Sequence, residues 1–425
     1  MNSRRPSGLL AFLLLGLGFA AVGGGAAVSA NLSELAPLAR TILGPDQGVY
    51  VETSDGSVLV AQAAGIPVHP ASISKVPTTL ALLRKFGPDH RFVTTFLATG
   101  PVSAGTLDGD LLVEGDGDPY FVDENALLVA LRLNQAGVQR VRGTVRTRNA
   151  LIFDWQPDAD AARLQRALAG GTSAAAWAAV QPLAGANLPG SPPLLHFEQP
   201  GHMATSPVKL AAQPLVVHRS QTLLSLVKSL NDYSNNVFKP LADAAGGPAE
   251  VENYARSILP EEMRPEIHLG DGAGTDERNR LSPRAAVKLL RALEQELGRS
   301  GHTLVDALPV SGIDDGTLHA RLDTPGIAGH VVGKSGTFGD YGASALIGAI
   351  PTSDLGTVYF AILNHAVPVP EARRRQDRFL RALLERLHSL PWKYEPDTRP
   401  AVFRAEATLS EADAPGTGPP GTSAR

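Results

Sequence analysis

The chain has 425 residues, 43% of them hydrophobic and 19% charged, with a formal net charge of −4. That length supplies two or three domains, and the composition is that of a globular protein and not of a disordered polymer. There is no cysteine, which excludes disulfides, thiolate chemistry and cysteine-ligated zinc, and the mild acidity argues against nucleic acid or an anionic membrane as a partner.

Arg4 and Arg5 precede an apolar run from Leu9 to Val22, and a small-residue stretch closes with Val28-Ser29-Ala30. Charge, apolar core and small-residue site in that order describe a secretory signal peptide over residues 1–30, too short to span a bilayer comfortably. Its removal takes away two arginines and no acid, so the net charge moves from −4 to −6. The periplasm is the expected destination.

Val49 to Thr53 and Ser57 to Val60 are β-rich runs around Asp55-Gly56, a hairpin signal. A helix is expected from Ser72 to Phe86, stopped by Gly87-Pro88, with strands at Phe92 to Leu97 and Gly109 to Glu114. A helix from Ala126 to Ala136 and strands near Val141 and Leu151 come next. Residues 158–193 are Ala- and Gly-rich and read as loosely structured.

Helices around Leu223 to Leu230 and from Asn236 flank a short polar break. Gly329 to Lys334, Ala343 to Ile350 and Val358 to Leu363 are closely spaced strands, and short loops favour antiparallel neighbours. The last helix carries Phe379, Leu380, Leu383, Leu384 and Leu387 on one face. Its arginines, Arg373, Arg374, Arg375, Arg378, Arg381 and Arg386, mostly lie off that stripe and read as a solvated face. The tail over 405–425 reads as disordered.

The fold class is therefore α/β in the α+β sense, an antiparallel sheet drawn from both ends of the chain and flanked by helices. It comprises residues 31–91 and 212–400 as a discontinuous domain, and 92–211 as a smaller inserted α/β domain.

Three motifs occur in one order: Ser72-Ile73-Ser74-Lys75 (S-x-x-K), Ser234-Asn235-Asn236 (S-x-N) and Lys334-Ser335-Gly336 (K-[ST]-G). This set characterises penicillin-binding proteins and class A β-lactamases. Ser72 and Lys75, three apart on one helix, share a face. A neutral Lys75 can take the Ser72 proton, and its neutrality requires burial and a neighbouring cation such as Lys334. Ser234 suits a proton shuttle to the leaving amine, and Asn236 a positioner of Lys75 and of the substrate amide. Lys334 and Ser335 suit a terminal carboxylate, while Gly336 lets a peptide add to the strand edge. The N–H groups of Ser72 and Thr337 would form an oxyanion hole.

No motif is specific alone. S-x-x-K recurs at Ser206 to Lys209 and Ser225 to Lys228, and S-x-N at Ser229 to Asn231. Context selects Ser72, which opens a helix after a hairpin, and Ser234, which sits between helices.

The flanks of these motifs resemble a known family. His69-Pro70-Ala71-Ser72-Ile73-Ser74-Lys75, Phe86 to Phe92, Gly115 to Pro119, Tyr233 to Asn236, Asp271-Gly272-Ala273-Gly274, Leu308 to Gly312 and Gly333 to Thr337 resemble the D-Ala-D-Ala carboxypeptidases of the class C low-molecular-mass penicillin-binding proteins. The resemblance implies a β-lactamase/transpeptidase-like domain with an insertion after the S-x-x-K helix. It also implies hydrolysis of D-Ala-D-Ala bonds in peptidoglycan stem peptides, often with endopeptidase action, and covalent inhibition by β-lactams. Departures are S-N-N for S-D-N, K-S-G for K-T-G, Ala273 for a common serine, Pro77 early in the reactive helix, and a short insert.

A calcium site in the Asp108–Asp123 stretch lacks the required spacing. The eleven histidines include no H-E-x-x-H pair, which argues against a metal or a Ser-His-Asp mechanism, and no cofactor is expected. His69 reads as structural. A serine β-lactamase or esterase, and a non-catalytic peptidoglycan-binding scaffold, stand as the alternatives.

Overall fold

The computed structural model describes residues 32–183, 190–199, 212–232, 238–339, 342–399 and 404–410. Helix α1 (Leu35–Leu43) leads to β1 (Gly48–Thr53) and β2 (Val58–Gln62), a hairpin turned at Asp55-Gly56 with Gly56 at φ +91°. A 3-10 turn, Ala71–Ser74, runs straight into α2 (Lys75–Phe86). Pro77 falls in the first turn of α2, where a missing N–H is tolerated, and the irregular start replaces the regular helix expected from Ser72.

Strands β3 (Val93–Ala98) and β4 (Leu111–Asp116), helix α3 (Asp123–Gln135) and strand β5 (Val145–Ala150) follow. After them come β6 (Gln213–Arg219) and the helices α4 (Leu223–Asp232), α5 (Phe238–Ala245), α6 (Pro248–Ile258) and α7 (Pro283–Gly298). The chain then forms β7 (Val332–Phe338), β8 (Ala343–Pro351), β9 (Thr357–His365), α8 (Val369–Arg386) and β10 (Glu406–Leu409).

One five-stranded sheet has the order β7-β8-β9-β1-β2 with every neighbour antiparallel. It joins the two ends of the chain, as the strand pattern predicts. Alternation decides its faces. Tyr50 points into a core with Ile73, Leu80, Leu289, Leu293 and Ile347. Val49 and Val51 point the other way, onto Leu35, Leu43, Phe360, Phe379 and Leu383 from α1, β9 and α8. Strands β8 and β9 are buried almost end to end, which explains their unbroken apolar sequences.

A second five-stranded sheet has the order β10-β6-β3-β4-β5, parallel only between β4 and β5. Its own core gathers Phe96, Val113, Phe121, Val129, Leu133, Leu164 and Val216.

Three sequence expectations change. Strand β6, placed beyond the insert at 92–211, pairs with β3 and belongs to this second sheet. The tail from 405, expected to be disordered, contributes β10, which pairs with β6 and buries Ala407; residues 411–425 lie outside the described residues. The Ala- and Gly-rich stretch carries the helices Ala162–Arg166 and Ala174–Val180, with Leu164, Leu168 and Val180 buried. Alanine is the strongest helix former, so a few apolar anchors suffice there.

Candidate active site

The reactive turn is locked from several sides. Ala71 holds a left-handed backbone at φ +49°, a conformation that costs about 1 kcal/mol for a residue with a Cβ. Its N–H donates to His69 Nδ1 at 3.1 Å, while His69 Nε2 lies 3.0 Å from the Asp276 carbonyl oxygen. An imidazole accepting at one nitrogen and donating at the other is neutral, and burial accordingly lowers the His69 pKa. The ring also stacks on Phe338 at 3.9 Å. His69 is thus a clamp that ties the turn to β7 and to the Asp271–Asp276 loop.

Helix α2 is buried at every position from Lys75 to Leu83, so its first residue cannot reach solvent. The Lys75 Nζ stands 2.9 Å from Ser72 Oγ and donates to the Ala273 carbonyl at 3.2 Å. Burial chiefly, and then the charge of Lys334, lower the Lys75 pKa to about 7, with Asp271 opposing. Lys334 is fully buried too, and desolvation brings it to about 8 against the pull of Asp232. Two buried cations near each other leave one of them a free amine near neutrality, which a general base requires.

Glycines permit the close approach. A Cβ on Gly336 would stand 3.0 Å from the Ser72 backbone nitrogen and 2.9 Å from the Pro70 carbonyl oxygen. One on Gly274, at φ +89°, would lie 1.9 Å from the Ala71 carbonyl oxygen. Gly274→Ala should therefore destabilise the protein by roughly 2–4 kcal/mol and slow penicillin labelling at least tenfold, although it removes no reactive group. A thermal melt and a labelling time course check this; wild-type values in both would refute the packing argument.

The Asp271 carboxylate builds the loop behind Lys75. Desolvation raises its pKa, but donors from Thr275, Asn279 and the Gly274 N–H outweigh that and hold it ionised. Gly274 N donates to Oδ1 at 2.7 Å and Asn279 Nδ2 at 3.0 Å. Ala273, read as a structural replacement for serine, is fully buried; its carbonyl accepts from Lys75 and its N–H donates to Asp271 Oδ1 at 3.3 Å.

Ser234 and Asn236 lie outside the described residues. Helix α4, which precedes them in the chain, is fixed at its end, because the Asp232 carbonyl accepts from Thr317 N at 2.9 Å. Ser335 Oγ donates to Thr317 Oγ1 at 2.7 Å, so Thr317 links β7 to the last residue of α4. Burial raises the Asp232 pKa to about 7.

Ser72, Lys75 and Gly336 thus meet around one turn, the Lys334 charge acts on Lys75, and Lys334 to Thr337 follow one another on the edge strand β7. The competing motifs separate. Lys228 is paired with Asp314 at 2.5 Å and, with Ser225, lines a polar cavity of about 290 Å³ between α4, Tyr394 and Arg404. Asn231 donates to the Ala307 carbonyl at 3.0 Å inside the core, and Ser206 to Lys209 lie outside the described residues. Among the described residues no cluster of His, Asp and Glu could hold a metal ion. Residues that the motifs did not reveal are Asp271 as loop anchor, Thr317, and Arg373, whose Nη2 donates to Thr337 Oγ1 at 2.7 Å. Only the Asp-Gly-Ala-Gly spacing hinted at the first.

A serine with a buried lysine three residues on, set against the K-S-G edge of an antiparallel sheet, defines the β-lactamase/transpeptidase-like serine proteins. The chain belongs to the D-Ala-D-Ala carboxypeptidase 3 (S13) family, whose model matches residues 28–164 and 194–385. It is 25% identical over 378 residues to the carboxypeptidase DacB of Mycolicibacterium smegmatis, covering 78% of this chain and 79% of that one. Over 117 residues it is 32% identical to a D-alanyl-D-alanine carboxypeptidase of an Actinomadura species, a match spanning 26% of this chain and only 22% of that enzyme's length. Two solved structures share the fold. The penicillin G-acylated predatory endopeptidase Bd3459 of Bdellovibrio bacteriovorus matches with a TM-score of 0.71 at 20% identity, over 83% of this chain and 96% of that one. Penicillin binding protein 4 of Haemophilus influenzae, complexed with a β-lactam, matches with a TM-score of 0.58 at 18% identity, over 85% and 100%.

Proposed function

We propose that this chain is an exported serine D-Ala-D-Ala carboxypeptidase, with endopeptidase action on crosslinks, that cuts peptidoglycan stem peptides through an acyl-enzyme on Ser72. One observation carries the reading: the Lys75 amine, buried and depressed to about 7, lies 2.9 Å from the Ser72 hydroxyl. Ser72 Oγ attacks the carbonyl carbon of the D-Ala-D-Ala bond while its proton passes to Lys75 Nζ. The oxyanion is taken by the N–H groups of Ser72 and Thr337. Collapse expels the D-alanine amine, protonated through Ser234 with Asn236 holding the amide, and water then cleaves the ester. β-Lactams acylate the same hydroxyl, and the penicillin-acylated relative supports this. The leader at residues 1–30, outside the described residues, directs export to the periplasm; no helix among the described residues is long and apolar enough to cross a membrane.

Mass spectrometry of the full chain's products from pentapeptide and crosslinked muropeptides tests the assignment. Loss of one terminal alanine, and conversion of dimers to monomers, are the expected results. An unchanged pentapeptide together with rapid nitrocefin turnover would replace it by the β-lactamase or esterase reading.

A further inference from the structure

Few large apolar side chains among the described residues stand in solvent, and Trp155, 44% exposed, is the largest of them. It sits at the tip of a small hairpin, where Ile152–Phe153 pairs antiparallel with Gln156–Pro157 and Asp154-Trp155 makes the two-residue turn. Both turn residues are left-handed, at φ +50° and +61°. That geometry favours Asn-Gly, and a bulky side chain persists there only when its surroundings hold it. They do: the Asp154 N–H donates to the Phe121 carbonyl at 2.9 Å, and Gln156 Oε1 accepts from Arg163 Nη2 at 3.0 Å. The turn would form more readily with glycine at 155, so the fold alone does not account for the tryptophan. Its ring meets Tyr120 at 6.2 Å between centroids and 84°, a T-shaped contact that covers at most one face of either ring. Tyr120 packs against the core around α2 and α7, whereas Phe153 belongs to the core of the second sheet. The indole therefore stands where the two cores meet.

Phe153 and Asp154 of the same hairpin line a cavity of about 560 Å³ together with Asp123, Arg163 and Arg166. Cavities of this size take small organic ligands. Its two acids and two arginines balance, so the lining carries no net charge. Arg166 Nε bonds within its own helix, to the Ala162 carbonyl at 3.3 Å, and neither arginine has an ion-pair partner among the described residues. Such a lining suits a neutral ligand rich in hydroxyl and amide groups: guanidinium forks donate to its oxygens, and carboxylates accept from its O–H and N–H groups. The open indole face adds a preference for a pyranose ring. The axial C–H groups of a pyranose form an apolar, weakly positive face that matches the negative face of an aromatic ring. Pyranoses bearing hydroxyl and amide groups are the N-acetylated sugars of the glycan strand, to which stem peptides are attached. We infer that Trp155 and this cavity bind the glycan strand of peptidoglycan, so that the enzyme prefers stem peptides still carried by the polymer. One sugar stacks on the indole, and Asp154 and Arg166 hold the substituents of the ring that enters the cavity.

The preference rests on the DD-peptidase reading, and the experiment separates the two. Isothermal titration calorimetry of the full chain with peptide-free glycan strands, released from peptidoglycan by an amidase, measures the site without any cleavage. The wild type and the control Val58→Ala, an exposed position on β2, should bind alike. Trp155→Ala should weaken binding about 10-fold or more, Trp155→Tyr should restore part of it, and Arg166→Gln should weaken it about 3- to 10-fold. In steady-state assays the wild type should show a higher kcat/KM on a glycan-linked pentapeptide than on the free pentapeptide, and Trp155→Ala should lower that ratio. Absence of glycan binding by the wild type overturns the inference. So do equal binding by Trp155→Ala, a tyrosine variant as weak as the alanine one, and a ratio that Trp155→Ala leaves unchanged. Failure of the underlying reading shows differently: the wild type turns over neither pentapeptide, while the calorimetric result stands.

Discussion

Ser72→Ala should take no covalent penicillin label and should release D-alanine at least about 10,000-fold more slowly than the wild type. The substitution removes one oxygen from a turn held by other contacts: the His69 clamp, the Gly336 contact and the Lys75 bond to the Ala273 carbonyl all remain. The fold should therefore survive and the loss should be chemical. Intact-protein mass spectrometry after incubation with penicillin measures it directly. An adduct on Ser72→Ala at the wild-type rate would place the nucleophile elsewhere and remove the reading of the site.

Lys75→Ala should slow acylation by about 100- to 10,000-fold, and the pH profile distinguishes a base from a structural cation. The reacting form carries a neutral Lys75, whose pKa is lowered to about 7, beside a charged Lys334, lowered to about 8. Acylation in the wild type should thus rise with pH through about 7, as Lys75 loses its proton, and decline above about 8, as Lys334 loses its charge. Lys334→Gln removes the cation that depresses Lys75, so the ascending limb should move to higher pH, where the amine now deprotonates. Single-turnover acylation measured across pH 5–10 checks both limbs. An ascending limb that stays in place in Lys334→Gln would mean that Lys334 does not tune Lys75, and full activity in Lys75→Ala would exclude it as the base.

The tuning has a structural source. Among the described residues neither lysine is neutralised by an ion pair. Asp271 and Asp232 act on them at a distance, and Asp271 is occupied with the backbone of its own loop. Burying two ammonium groups is costly, and strained backbone at Ala71 adds to the cost. Such features cluster where a reaction needs them, and here the large apolar core around α2 and α7 offsets them.

Much of this molecule was legible in its sequence because the signals are local. The Asp55-Gly56 hairpin, the unbroken apolar runs of β8 and β9 and the stripe of α8 each follow from a period of 2 or 3.6 and a turn residue at the right offset. Ser72 and Lys75 are neighbours on one helical turn, so their meeting needs no tertiary information. The two copies of S-x-x-K at Ser206 and Ser225 could be set aside only by local context, and for Ser225 the core contacts of α4 agree.

Other features belonged to the tertiary structure alone. Strand β10 carries no strong pattern and forms because β6 presents an open edge to it, an attraction invisible along the chain. Arg373 reads as one of several solvated arginines until α8 packs across the back of the sheet and brings it to Thr337, 36 residues away. The depressed pKa of Lys75 likewise arises from desolvation and from a cation more than 250 positions distant, since the energy of a charge depends on what surrounds it in space. Sequence alone determined which groups could react, because the motif is local; packing decided the protonation of Lys75 and Lys334, because desolvation acts through space.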